Sequence, residues 1–137
     1  SRIIRYSFAK KSTTRVGEKG MVQPAVSPDG AWIAATRISA RGTDVVVLDA
    51  ATGEVVLEIT RTGKSWAPAW SPTGRQLAYL SANGSSANLN LASFGVAPSG
   101  IPEPPVILSA LRDPVDPNVR PAWGSLTTAA VTASPSP

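Results

Sequence analysis

The chain alternates apolar and polar residues over short stretches. From Glu54 to Thr60, Val55, Leu57 and Ile59 fall on one side of an extended backbone, and Glu54, Val56, Glu58 and Thr60 on the other. From Ala87 to Phe94, Ala87, Leu89 and Leu91 share one side and Asn88 and Asn90 the other. A period of two belongs to strands, because successive side chains leave the pleat in opposite directions. No segment shows the 3.6-residue recurrence of a helix, so the pattern predicts an all-β chain.

A phrase returns between the strands. Pro24-Ala25-Val26-Ser27-Pro28-Asp29-Gly30 is followed 44 residues later by Pro68-Ala69-Trp70-Ser71-Pro72-Thr73-Gly74, and Pro121-Ala122-Trp123 begins it a third time. Each ending has turn chemistry: proline presets φ, Asp or Thr can bond the nearby backbone, and glycine accepts a positive φ. The same offset pairs Ile33-Ala34 with Leu77-Ala78, Val45 with Leu89 and Val47 with Leu91. One unit therefore reads as strand a over 22–26, strand b over 31–38, strand c over 44–48 and strand d over 54–60. The second unit runs from about Trp66 to Ala110. The interval to the third phrase is 53 residues, and the excess falls in the proline-rich loops 95–105 and 111–118.

Four strands in a unit of about 40–45 residues are the mark of a β-propeller blade. An immunoglobulin-like sandwich gives similar strand spacing, but it does not account for a phrase that returns with its internal offsets intact. The first residues are out of phase: Arg2 to Phe8 matches strand c and Thr13 to Val16 strand d. The expected organisation is a partial blade over 1–19, complete blades over 20–63 and 64–118, the first strand or strands of a closing blade over 119–133, and a tail over 134–137. That is a propeller fragment of about three blades, and closed rings take about 4–8.

Composition narrows the chemistry. The chain has no cysteine and no histidine. Disulfides, thiolate metal sites and Ser-His-Asp or Cys-His catalytic devices are therefore excluded from these residues. No cofactor and no metal site is expected. No run approaches the roughly 18 apolar residues of a membrane span, and Ser1 to Ser12 carries no apolar signal-peptide core. The charge is uneven: Arg2, Arg5, Lys10, Lys11, Arg15 and Lys19 oppose only Glu18 in the first twenty residues, giving +5 there and −1 over the rest. These cations are not interleaved with stacking aromatics, so a solvated sheet edge is expected, not a nucleic-acid surface.

The remaining candidates read as structure. Gly63-Lys64-Ser65-Trp66-Ala67 approaches the G-x-S-x-G elbow but lacks its second glycine. Asp29 suits a bond to its own turn, and Asp113 and Asp116, each followed by proline, suit Asx turns. Asn83-Gly84-Ser85 fits a glycosylation sequon and equally a hairpin turn.

The phrase P-A-W-S-P-D-G, a strand ending in "IAA" or "LAYLS", and "VVVLDAATGE" together resemble the repeat of TolB-type propellers from Arg2 to about Ser125. Thr73, where Asp is usual, and Gly124 depart from it. The resemblance implies a ring of about six blades, of which this chain would be the C-terminal half, a periplasmic or secreted setting, and a non-enzymatic protein-binding role. Similar repeats occur in the propellers of prolyl-oligopeptidase-type peptidases, and a carbohydrate-binding propeller using Trp32 and Trp66 is a further alternative.

Within the phrase, Pro24, Ser27, Pro28, Asp29, Gly30, Pro68, Trp70, Ser71, Pro72, Gly74, Pro121 and Trp123 read as repeat structure, with Trp70 and Trp123 wedged between blades. Gln23, Lys64, Trp66 and Arg120 lie at or just before the phrase prolines, where first strands would open onto the mouth of a central channel. They are the candidates for binding a protein or peptide partner. A second copy, or a missing N-terminal half, is expected to close the ring.

Overall fold

In a computed structural model the structure describes residues 1–95, 105–110 and 113–124. Among them there are ten strands and no helix: β1 (Ile3–Ser7), β2 (Ser12–Val16), β3 (Met21–Val26), β4 (Trp32–Ser39), β5 (Gly42–Asp49), β6 (Val55–Glu58), β7 (Ser65–Trp70), β8 (Gln76–Asn83), β9 (Ser86–Ser93) and β10 (Val106–Ala110). They form an antiparallel β1–β2 ribbon and two antiparallel four-stranded meanders, β3-β4-β5-β6 and β7-β8-β9-β10. Strand limits differ from the sequence reading by one or two residues; β5, for example, begins at Gly42 because the two-residue loop Ala40-Arg41 closes its hairpin with β4. Of the closing segment expected over 119–133, residues 119–124 lie in none of the three sheets. Residues 125–133 and the tail expected over 134–137 lie outside the described residues.

Each meander is a blade, and the alternation along its strands decides which neighbour each face meets. On β4 and β5, Ile33, Ala35, Val46 and Leu48 point to the ribbon, where they pack with Ile3, Val16, Met21 and Ala50. The residues between them, Ala34, Val45 and Val47, point to the second blade and pack with Leu77, Tyr79, Ala92 and Phe94. A third cluster, Ala67, Leu80 and Ala87 with Trp66, Leu89 and Val115, lies on the far side of the second blade. The core is thus a series of apolar layers between stacked sheets, as a propeller requires. Complete burial of Val45, Val46, Val47 and Leu48 contributes about 1.5–3 kcal/mol per side chain.

The phrase folds the same way in both blades. Gly30 N–H donates to Ser27 O and Gly74 N–H to Ser71 O, each at 2.9 Å, with φ of +74° and +72° at the two glycines. The serine hydroxyl then takes the first amide of the next strand: Trp32 N–H to Ser27 Oγ at 3.0 Å, and Gln76 N–H to Ser71 Oγ at 3.1 Å. At the third turn position Asp29 accepts from the Ser27 hydroxyl at 2.6 Å, and Thr73 meets the Ser71 hydroxyl at 3.1 Å. The departure at Thr73 therefore leaves the turn intact, because a hydroxyl reaches the same partner as the carboxylate.

Candidate functional site

The first strand of each blade carries the candidate residues. β7 packs against β3, β4 and β5, so the first strands of the two blades run close together. Both strands bulge at the phrase: register shifts between Val22 and Ala25 in β3 and between Trp66 and Ala69 in β7. The residue before each proline has a positive φ, +52° at Gln23 and +56° at Ala67. Such a conformation costs an ordinary residue on the order of 1 kcal/mol or more and is held only by its surroundings.

Here the surroundings are visible. Gln23 Oε1 accepts from the buried Thr36 hydroxyl at 2.8 Å and from Ala67 N–H at 3.1 Å, and Ala67 N–H also reaches Thr36 Oγ1 at 3.0 Å. One side-chain amide thus joins the first strands of two blades. Gln23 itself is exposed. Arg120, in the matching place of the third phrase, sends Nη2 to Pro24 O at 2.8 Å and to Pro68 O at 3.4 Å. Its guanidinium therefore spans both proline carbonyls while the side chain stays exposed.

The structure brings Gln23 and Arg120 together at Pro24. Trp66 is tied to the 113–120 segment that carries Arg120: its indole N–H donates to Pro117 O at 3.2 Å, and its ring packs near Val115. Val115 in turn exchanges two backbone hydrogen bonds with Ala87. Trp66 is thus partly roofed by its own chain. Lys64 stands apart. It is exposed, and its backbone bridges Thr43 and accepts from Ala82 N–H.

The other tryptophans of the phrase serve the seams between blades. Trp70 donates to Ala25 O at 2.9 Å and stacks on Phe94 with centroids 5.4 Å apart; Trp123 donates to Ala69 O at 2.9 Å. Val26 holds the corresponding place in the first phrase, and a depression of about 290 Å³ lies beside it, lined by Arg5, Ile33 and Ala50. Ser65 of the near-elbow is buried and paired with Ser81 inside a strand, with no exposed hydroxyl to act as a nucleophile. Asp116 accepts from Asn118 N–H at 2.8 Å, an Asx turn.

With this geometry in place, comparison with solved structures is informative. The chain is similar to the crystal structure of TolB from Acinetobacter baumannii, with a TM-score of 0.58 and 31% identity over 67% of this chain and 24% of that one. It is also similar to a structure described as a TolB from Agrobacterium tumefaciens, with a TM-score of 0.55 and 19% identity over 66% of this chain and 36% of that one. The fold is a partial, TolB-like β-propeller. No protein-family model and no curated protein matches the chain. The chain spans about a quarter and about a third, respectively, of the two structures it resembles.

Sequence reasoning missed Thr36 and Asp44. Thr36 reads as one polar residue in an apolar strand, yet it is the hinge of the Gln23–Ala67 link. Asp44, buried at the start of β5, accepts from the Thr60 hydroxyl and Gly63 N–H, both at 2.9 Å, and pins the connection into the second blade. An acidic residue opening an otherwise apolar strand was the available signal for it.

Proposed function

We propose that this chain is part of a non-enzymatic TolB-like propeller that binds a protein or peptide partner at the ends of its first strands, in a periplasmic or secreted setting. The carrying observation is the meeting of two phrases at Pro24, where the Arg120 guanidinium is held across two proline carbonyls beside the exposed Gln23, with Trp66 fastened to the same 113–120 segment through Pro117. Aromatic and arginine side chains fixed in place lose little freedom on binding and are frequent interface anchors. Trp32 and Trp66 pack in different clusters, which weighs against a shared sugar-stacking platform. On this reading the chain corresponds to the C-terminal half of the ring, and a second copy or the other half completes it.

The test is selection of a peptide library on the 137-residue chain. Binders should lose at least about 1 kcal/mol of affinity with Arg120→Ala and protect the amides of β3 and β7 from exchange. Binders that protect only β6 or β10, or that ignore Arg120→Ala, would place the site elsewhere. A hydrolase domain with a G-x-S-x-G nucleophile in the same polypeptide would favour the peptidase alternative. For ring completion, light scattering should give twice the 14.2 kDa of the chain if two copies close the ring, and a cooperatively melting monomer would refute that part.

A further inference from the structure

Asn83-Gly84-Ser85, a motif the candidate site leaves unused, forms the tip of the β8–β9 hairpin. Asn83 pairs with Ser86 at the end of the ladder, and Gly84 and Ser85 make the two-residue loop. The tip is exposed, and a methyl built on Gly84 would meet nothing within 4 Å. Asn83 Nδ2 donates to Asn88 Oδ1 at 3.1 Å, and the Ser86 hydroxyl donates to Asn83 O at 3.0 Å. Among the described residues the Gly84 N–H has no hydrogen-bond acceptor.

These contacts bear on one peptide group. The Asn83 carbonyl and the Gly84 N–H share it, so a hydrogen bond to the oxygen stabilises the anion left when the nitrogen loses its proton. That nitrogen can close a five-membered ring on Asn83 Cγ, and glycine puts no side chain beside the closing bond. The other asparagines are placed differently: Asn88 and Asn90 precede Leu89 and Leu91 inside paired β9, and Asn118 precedes Val119. Asp29-Gly30 of the first phrase has the same spacing but the opposite wiring. Its Gly30 N–H donates to Ser27 O at 2.9 Å, and the Asp29 carboxylate accepts from the Ser27 hydroxyl and from Ala31 N–H. A bond at the nitrogen retains its proton, and an ionised carboxylate resists attack.

We propose that Asn83 is a site of spontaneous covalent modification, in which the Gly84 nitrogen displaces the side-chain amide with help from the Ser86 hydroxyl. The Gly84 N–Asn83 Cγ bond forms, the Cγ–Nδ2 bond breaks, and Nδ2 leaves as ammonia with the proton from Gly84. Water then opens the cyclic imide. Attack at Cγ gives aspartate, and attack at the backbone carbonyl carbon gives isoaspartate, whose main chain runs through Cβ and Cγ. One water is consumed and one ammonia released, with no oxidant, reductant or enzyme. Ring closure needs Asn83 to release Asn88 and rotate, and the end of a hairpin opens at low cost. Aspartate fits the tip, since Asn88 can turn its amide to donate where it now accepts. Isoaspartate lengthens a tip whose loop length fixes the register of β8 on β9. The inference is independent of the site around Arg120.

In the test the full chain is held in mildly alkaline buffer and digested, and its peptides are sequenced by electron-transfer mass spectrometry. Methyl transfer by a protein-isoaspartate methyltransferase counts the isoaspartate. Asn83 should convert at least about tenfold faster than Asn88, Asn90 or Asn118, and faster as the pH rises, while Asp29 stays unisomerised. In urea Asp29 should begin to isomerise, because only the folded turn restrains it. Ser86→Ala should slow Asn83 several-fold in the folded chain and leave its rate in urea unchanged. Asn83→Gln should remove the isoaspartate signal, since glutamine would need a six-membered ring. Conversion of Asn83 no faster than that of Asn88, or a Ser86→Ala chain that converts as fast as the parent, would overturn the proposal.

Discussion

Replacing Trp70 with phenylalanine tests whether the seam between blades is held by a directional bond as well as by packing. Phenylalanine keeps an aromatic ring against Phe94 but loses the indole N–H that donates to Ala25 O at 2.9 Å. A net hydrogen bond contributes about 0.5–1.5 kcal/mol. The smaller ring gives up roughly 40 Å² of apolar contact, about 1 kcal/mol at 25 cal/mol/Å². The expected loss is about 2 kcal/mol. The internal control is Trp32→Phe: Trp32 packs in the same apolar layer, and among the described residues its indole makes no hydrogen bond, so the same change should cost about 1 kcal/mol. Urea unfolding followed by far-UV circular dichroism avoids the fluorescence of the deleted rings and gives both values. In a thermal scan the Trp70 variant should melt about 6–10 °C below the parent, from the scaling for domains of this size. If the two variants lose the same stability within about 0.3 kcal/mol, the directional bond carries no weight and the seam is held by packing alone.

Thr36→Val keeps the shape of a fully buried side chain but removes the hydroxyl that links Gln23 to Ala67; a loss of about 1–3 kcal/mol is expected by chemical denaturation, and no loss would show the link to be idle. Gly42→Ala would drive a methyl into the carbonyl oxygen of Gly63 at a φ of +122°, and a fall in urea midpoint equivalent to more than about 2 kcal/mol is expected, whereas Gly30→Ala, with open space around it, should lose only the smaller cost of its φ. The Ser27 hydroxyl and then Ala31 N–H hold the Asp29 carboxyl below its ordinary 3.8. A depressed carboxylate contributes stability above pH 3.8 that is lost as pH falls through the lower folded value, so Asp29→Thr, which copies Thr73, should flatten the acid limb of the stability curve while leaving the turn formed. An unchanged acid limb would assign that slope to other carboxylates, of which Asp49, held low by Thr52 and Ala51 N–H, is the next to test.

The blade was legible because its signals are local and repeated. Alternation at Val45 to Leu48, the Ser-Pro-x-Gly turn and the 44-residue offset each report on a few neighbouring residues, and all of them agree. The positive φ at Gln23 and Ala67 was hidden, since a residue before proline ordinarily lies in the β region and only the strand bulge explains the exception. Thr36 and Asp44 were hidden for a different reason: their partners lie 31 and 16–19 residues away or across a seam, and a single sequence does not say which polar residues meet. Of the candidates, Gln23, Trp66 and Arg120 were found by position relative to the prolines, while their separation from Lys64 emerged only in three dimensions.

Several of the bonds that join successive phrases run the same way along the chain. Trp70 fastens to Ala25, Trp123 to Ala69, Arg120 to Pro24 and Pro68, and the Ala67 amide to Gln23. In each case a later repeat supplies the donor and an earlier one the acceptor. A chain made from its N-terminus therefore presents the carbonyls of Pro24, Ala25, Pro68 and Ala69 and the Gln23 side chain before the donors that will meet them.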